Sequence, residues 1–263
     1  REEVAVGVRR RRVFRRRAQP LECPSAERVS VTERPVQITV PNSESELDEM
    51  LSCPGPRLVD MMRRLDGDIL VLGVAGKMGL SLARMALHAA RRAGSGRRVI
   101  GVSRFSSSGA RVRLEENGIE TVQCDLLDPS AVRSLPEAPN IVFMVGRKFG
   151  TLGNESLSWA VNTLIPAAVA RRFPRSRIVA FSTGCVYPRV PSEDGGCVEE
   201  TPPAPIGEYA QACLGRERIF QHFSLANNTP VLLLRLNYAV DLRYGVLHDI
   251  ARWVYAGQPV PLR

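Results

Sequence analysis

Asp68-Ile69-Leu70-Val71-Leu72-Gly73-Val74-Ala75-Gly76-Lys77-Met78-Gly79-Leu80-Ser81-Leu82-Ala83-Arg84 decides the fold class of this chain. An apolar run, Ile69 to Leu72, ends in three glycines spaced G-x-x-G-x-x-G, and an apolar-periodic segment follows from Met78 to Ala93. That order reads as strand, tight glycine turn, helix. Gly73 can take backbone angles closed to other residues. Gly76 lets the main chain approach a pyrophosphate, and Gly79 lets the helix pack on the strand. The first helical turn then offers free N–H groups and a positive dipole end to phosphates. Gly73, Gly76, Lys77, Met78 and Gly79 are therefore candidate dinucleotide contacts; the alternative for the same residues is an empty structural turn.

Outward from this motif the pattern repeats. Strand-like apolar runs fall at Ile69–Leu72, Val99–Val102, Thr121–Cys124, Ile141–Val145, Ile178–Phe181 and Val231–Leu236. Helix-like segments fall between them, at 78–93, 109–117, 129–134, 155–173, 207–224 and 245–256. Near-continuous apolar strands alternating with helices predict an α/β fold, a Rossmann-like doubly wound parallel sheet with helices on both faces. Ser43 to Leu65 reads as a helical lead-in, with Ser43 or Ser45 as N-cap and Pro54-Gly55-Pro56 interrupting it. The domain reading is an arm over 1–42, the lead-in over 43–67 and the nucleotide-binding domain over 68–263. The Pro/Gly/Glu-rich stretch 188–206 is a long loop after a strand, where such folds line their ligand crevice.

Composition narrows the function classes. No apolar run approaches the length of a membrane span, and the N-terminus lacks a secretory h-region. The six cysteines show neither C-x-x-C pairing nor zinc-ligand spacing, so they read as reduced thiols of a cytoplasmic protein, with no metal site expected. The net charge is +9, but residues 1–34 hold ten arginines and five glutamates, more than half of it. The core of that excess is Arg9-Arg10-Arg11-Arg12-Val13-Phe14-Arg15-Arg16-Arg17. We read it as a basic, disordered arm: a solvated tail or an overextended gene start, with nucleic-acid binding the minor alternative. The chain has 34 arginines and only two lysines, Lys77 and Lys148, a skew that points to a GC-rich bacterial coding sequence.

Several residues beyond the glycine turn could carry chemistry. After the second strand comes Ser103-Arg104, where an NAD site usually has an acidic residue on the ribose hydroxyls. A guanidinium there can grip a 2′-phosphate and stack on adenine; the alternative is a solvent arginine. After the third strand, Asp125-Leu126 can reach the adenine amino group, while Asp128 is the more natural cap for the helix starting near Pro129. The fifth strand runs into Phe181-Ser182-Thr183-Gly184-Cys185-Val186-Tyr187, and Tyr209 follows in Gly207-Glu208-Tyr209-Ala210-Gln211-Ala212-Cys213.

With these pieces the sequence resembles the extended short-chain dehydrogenase/reductases, the NAD-dependent epimerase/dehydratase family of nucleotide-sugar enzymes. The resemblance covers roughly residues 68–240. It rests on the ordered set Gly73/Gly76/Gly79, Asp125-Leu126, Asn162 in a helix, Ser182-Thr183-x-x-Val186-Tyr187, Tyr209 at the right distance, and Arg235-Leu236-Asn237-Tyr238. It implies that Thr183 stands where the family's catalytic Ser/Thr hydrogen-bonds the substrate oxygen. It likewise puts Tyr209 in the place of the general acid/base, exchanging a proton while the nicotinamide exchanges hydride. Asn162 looks like the family's helix asparagine after the fourth strand, and Asn237 like a residue near nicotinamide and substrate. The alternative for Tyr209 is an ordinary half-buried helix tyrosine.

Three departures qualify the resemblance. The family's Tyr-x-x-x-Lys is Tyr209-x-x-x-Cys213 here. The lysine normally binds the nicotinamide ribose and places a cation beside the phenolate; a neutral thiol does neither, and an unperturbed tyrosine near pH 7 is only roughly one part in a thousand ionised. After the fourth strand stands Met144-Val145-Gly146-Arg147-Lys148 in place of a His-Leu-Ala-Ala-like run. These residues are expected to face the cofactor, and Arg147 or Lys148 either restores the missing cation or is a solvent-facing pair. Finally, family members continue well past the sixth strand, so the chain reads as C-terminally truncated, with the substrate subdomain largely missing.

The expectation from sequence is an NADP- or NAD-dependent oxidoreductase, epimerase or dehydratase, NADP favoured, acting on a sugar-like or nucleotide-sugar hydroxyl, as a cytoplasmic protein able to form a homodimer. The rival is a nucleotide-binding sensor or scaffold of the same fold with little or no catalysis; Cys213 favours it, while Thr183 and Tyr209 favour the enzyme. Partners of either are small molecules, neither membrane nor nucleic acid.

Overall fold

The strands of the sheet are β1 (Ile69–Leu72), β2 (Val99–Ser103), β3 (Glu120–Gln123), β4 (Asn140–Phe143), β5 (Arg177–Thr183) and β6 (Val231–Leu236). They occur in a computed structural model that describes residues 40–261, apart from 107, 149–152, 192 and 194. All pair in parallel, in the spatial order β3-β2-β1-β4-β5-β6. The order reverses between β1 and β4, where Ile69 faces Asn140. A doubly wound sheet opens its ligand crevice at the carboxyl ends of the strands flanking that switch point.

β1 is buried along its whole length, and its side chains divide between two cores. Leu70 and Leu72 join Ile100, Val102, Ile141, Phe143 and Ile178 on one face. Ile69 and Val71 join Val74, Ala83, Leu87 and Val99 on the other. The period of two that separates them is that of a strand covered on both faces. At about 1.5–3 kcal/mol for each fully buried aliphatic side chain, these residues bind the strand to both helical layers.

On the first face pack α5 (Pro129–Arg133), α7 (Ile165–Arg172) and α8 (Glu208–Asn227), through Val132, Val169 and Phe220. On the second pack α2 (Pro56–Arg64), α3 (Gly79–Arg92) and α4 (Ser108–Glu116), through Met62, Leu87 and Leu114. The lead-in divides at Pro54-Gly55-Pro56 into α1 (Glu44–Leu51) and α2, as expected. Ser43 caps α1, its Oγ accepting from the Glu46 N–H at 3.2 Å. Remaining helices are α6 (Glu155–Trp159) and α9 (Val246–Tyr255). No helix among the described residues is long and apolar enough to cross a membrane. The basic arm expected over 1–42 falls, as far as residue 39, outside the described residues.

Three departures from the sequence reading shape the site. The fourth strand was expected to reach Val145 but ends at Phe143, so Met144 to Lys148 run as a loop. The expected helix 155–173 is α6, a π-helical turn (Ala160–Leu164) and α7 in succession. Pro166 has no N–H to give to the Asn162 carbonyl and crowds it, so the ladder widens there. β5 also runs further than expected, through Ser182 and Thr183, because β6 pairs with it as far as Thr183 opposite Leu236.

Candidate functional site

The glycine turn follows β1 directly. Gly73 has φ +86°, and a Cβ on it would lie 3.0 Å from the Val145 nitrogen. A Cβ on Gly79 would lie 1.8 Å from the Val74 carbonyl oxygen, so only glycine lets α3 start this close to the turn. In front of the turn lies a crevice of about 470 Å³. Gly73 and Gly76 form one wall; Ser103 and Arg104 from the end of β2, and Asp125 and Leu126 after β3, form another. Val145, Gly146 and Arg147 close it from the β4 loop.

The acidic pair after β3 divides as anticipated. Asp128 caps α5, accepting from the Ser130 N–H at 2.8 Å and its hydroxyl at 2.7 Å. Those bonds hold the Asp128 carboxyl below its ordinary range. Asp125 lines the crevice and takes a local bond from the Leu127 N–H at 3.0 Å. Cys124 is a buried thiol whose pKa is raised chiefly by desolvation, which leaves it protonated. Met78 and Gly79 sit at the start of α3. Lys77 turns the other way: its ammonium lies 4.9 Å from the Tyr244 ring centre and lines a separate cavity of about 320 Å³ with Asp48 and Arg243.

Beneath the crevice lies Asn162, wholly buried in the π-turn. Its Oδ1 accepts from the Arg147 N–H and its Nδ2 donates to the Arg147 carbonyl, both at 3.3 Å. The asparagine therefore clamps the main chain of the β4 loop. The widened turn is what turns this side chain inward; π-bulges recur at functional sites for such reasons.

Apart from the crevice-lining residues stand Thr183, last residue of β5, and Tyr209, in the first turn of α8. The Thr183 Oγ1 accepts from the Cys185 N–H at 3.2 Å, fixing its rotamer. Tyr209 is half-buried and interacts through its side chain with Thr183 and Cys213. Burial pushes its pKa far above the ordinary phenol value; the Cys213 thiol pushes the same way, while the Arg216 guanidinium and the Thr183 hydroxyl pull back. Cys213 is fully buried, and desolvation raises its pKa also. The Tyr209 site is thus a neutral phenol beside a neutral thiol.

Sequence reasoning missed the charged group at this cluster. Arg216 is buried, with one nitrogen donating to the Phe181 carbonyl at 2.7 Å and another to Asn162 Oδ1. Its guanidinium lies 5.7 Å from the Phe143 ring centre. A Cβ on Gly146 would lie 2.9 Å from one of its nitrogens, so it sits directly behind the crevice wall. Residues 209, 213 and 216 share one face of a helix, but nothing in that spacing sets Arg216 apart from the chain's other arginines.

The motif around Arg235 and Asn237 divides into two roles. Arg235 pairs with the fully buried Glu217, at 2.8 Å to Oε2 and 3.1 Å to Oε1. Ser182 donates to the same Oε1 at 2.5 Å. The Glu217 carboxylate raises the Arg235 pKa, and the Arg235 guanidinium lies 4.6 Å from the Tyr187 ring centre. This network ties β5, β6 and α8 together. Asn237 is exposed beyond β6 and lies against Gly184, where a Cβ would be 1.7 Å from its Oδ1. Thr183, Asn237 and Tyr209 thus border one region of chain, while Gly73 to Arg147 border the crevice.

The chain matches the model of the NAD dependent epimerase/dehydratase family over residues 69–240. No curated protein matches it. Among solved structures it is similar to UDP-glucuronic acid 4-epimerase of Bacillus cereus in complex with NAD: 16% identity over 73% of this chain and 65% of that one, TM-score 0.56. The dTDP-glucose 4,6-dehydratase of Bacillus anthracis in complex with NAD aligns at 15% identity over 73% and 62%, TM-score 0.60. WbmG of Bordetella bronchiseptica in complex with NAD and UDP aligns at 20% identity over 73% and 60%, TM-score 0.59. At these identities the likeness is one of fold, and the chain spans less than two thirds of each of these three structures.

Proposed function

The chain belongs to the NAD dependent epimerase/dehydratase family, and from that membership we propose that it transfers hydride between a nicotinamide dinucleotide and a hydroxyl of a sugar or nucleotide sugar. The observation that carries this reading is the side-chain interaction of Thr183, at the end of β5, with Tyr209, in the first turn of α8, in a chain that also carries the glycine-lined crevice.

The residues present fit such a cofactor. Gly73 and Gly76 leave the turn bare of side chains where a pyrophosphate would lie. Ser103 and Arg104 would meet the adenosine ribose, Asp125 and Leu126 the adenine, and Val145 to Arg147 the nicotinamide half. When bound, the dinucleotide supplies the hydride acceptor or donor. The protein's part is proton transfer and orientation. In hydroxyl oxidation the substrate O–H proton passes to the Oη of Tyr209 in its phenolate form as the C–H hydride departs, leaving a carbonyl; Thr183 Oγ1 holds the oxygen. In reduction the same phenol returns its proton. Tyr209 is held protonated by burial, so it is ready as an acid and scarce as a base. Arg104 suits a 2′-phosphate, which favours NADP over NAD.

The test is hydride transfer itself. The purified protein is incubated with NAD or NADP and a panel of UDP- and dTDP-sugars, following cofactor absorbance and product epimers. Turnover lost in Tyr209→Phe, with cofactor binding retained, supports the reading. A second reading, cofactor binding without catalysis, is favoured by Cys213 standing where the family has its lysine. Tight cofactor binding with no turnover, unchanged by Tyr209→Phe, would decide for it.

A further inference from the structure

Arg216 is an unusual residue to find where it is. Its guanidinium is buried, yet both of its partners are neutral: the Phe181 carbonyl and the Asn162 side-chain oxygen. The nearest carboxylate along α8, Glu217, is already taken by Arg235 and Ser182. Its Nε has no hydrogen-bond partner. A buried positive charge whose hydrogen bonds go to neutral groups is costly, and an apolar side chain would serve better if the position only packed α8 against the sheet. The burden makes sense if negative charge develops nearby.

The helix shows where. At about 3.6 residues per turn, positions 209, 213 and 216 fall on one face. The thiol of Cys213 interacts with both the phenol and the guanidinium, and Gly146 leaves room for the guanidinium behind the crevice wall. We propose that Arg216 replaces the lysine whose place Cys213 occupies: a cation supplied one helical turn further along α8, stabilising a Tyr209 phenolate while bracing Asn162 and the β4 loop. The proposal deepens the catalytic reading above and rests on it for its kinetic meaning, though not for its electrostatics.

Arg216 is a positioning residue in this scheme. It acts on Tyr209 across Cys213 and on the crevice through Asn162. Among the groups acting on Tyr209, Cys213, Arg216 and Thr183, Arg216 is the cation. Thr183 and Cys185 come from the end of β5 and the turn after it, and Asn162 comes from the π-turn; the hydroxyl and the amide are neutral. Glu217, on α8, is balanced by Arg235 from β6. Arg147 and Lys148 belong to the β4 loop, where Arg147 meets Asn162 through its main chain. Arg216 is the charged group whose pull on Tyr209 opposes burial.

The test needs no turnover. Incorporating 3,5-difluorotyrosine at Tyr209 in the full chain makes that phenol intrinsically more acidic and gives its ionisation a separate absorbance. Its titration midpoint is measured in the native background and in Arg216→Gln, which keeps hydrogen bonding but removes charge. Arg216→Lys and Cys213→Lys/Arg216→Gln complete the set. Removal of a nearby cation is expected to raise the midpoint by about one unit. Arg216→Lys keeps it near the native value, and the double variant brings it back down. A folded Arg216→Gln protein with the native midpoint overturns the proposal. If Arg216→Gln does not fold, Cys213→Lys alone decides. A small drop supports a cation already in place, whereas a drop of about one to three units overturns it. A shifted midpoint in a protein that turns over no sugar removes the catalytic reading and leaves Arg216 in its role.

Discussion

Arg216 and Asn162 are joined side chain to side chain across the interior, α8 to the π-turn, and both are buried. Through Asn162 the contact reaches the Arg147 main chain, so a charge on α8 is coupled to the wall of the crevice.

Removing the asparagine should expose that coupling as stability. Asn162→Ala takes an acceptor from a buried guanidinium and frees the β4 loop. A hydrogen bond to a charged group contributes about 1.5–3 kcal/mol, and a loss of about 2 kcal/mol is expected. Urea denaturation followed by circular dichroism measures it; a change near zero would mean that water replaces the amide without penalty.

The Glu217–Arg235 pair should be the more fragile element. Arg235→Met leaves a fully buried carboxylate with only Ser182 as partner. Breaking a buried pair from one side costs about 3–5 kcal/mol. Loss of cooperative unfolding, or a midpoint shift of that size, is expected. Replacing both members by apolar residues should recover much of it, and failure of that double variant to do so would assign the loss to shape.

pH dependence follows from the phenol. Tyr209 has a pKa raised by burial, so in the folded protein it stays protonated above the value at which the unfolded chain ionises. Above about pH 10 the unfolded state therefore binds fewer protons than the native one, and stability falls as pH rises. Below that value the contribution is fully present. Tyr209→Phe should flatten this alkaline decline in thermal melts collected as a function of pH. For turnover the same group predicts hydroxyl oxidation rising with pH through the alkaline range, with carbonyl reduction nearly level until the phenol ionises. With Arg216 already supplying a cation, Cys213→Lys should move the oxidation profile only slightly.

Cofactor choice should turn on Arg104. It lines the crevice after β2, in a segment, 103–108, that contains no acidic residue. A charge-assisted contact with a 2′-phosphate contributes roughly 1.5–3 kcal/mol, about tenfold or more in affinity. Fluorescence titration should find NADPH bound more tightly than NADH, and Arg104→Ala should remove the difference. Equal affinities that the substitution leaves alone would make Arg104 a bystander.

The sequence by itself determined the architecture. Glycine spacing after an apolar run, and the alternation of strand-like and helix-like segments, depend on local chemistry: backbone freedom, hydrophobic period, capping by Ser43 and Asp128. Those signals survive in one dimension, and the parallel order β3-β2-β1-β4-β5-β6 agrees with them. Tertiary structure decided what no local signal carries. The end of β4 at Phe143 and the length of β5 were set by pairing partners distant in sequence. The π-turn needed Pro166 to be placed inside a helix before its effect on Asn162 could be seen. Lys77, on the glycine turn, faces Tyr244 because of packing by the 241–244 segment. Arg216 is one of 34 arginines and carries no mark of its own until folding brings Phe181 and Asn162 to its guanidinium. A charge acquires its meaning from what surrounds it, and those surroundings come from four separate parts of the chain.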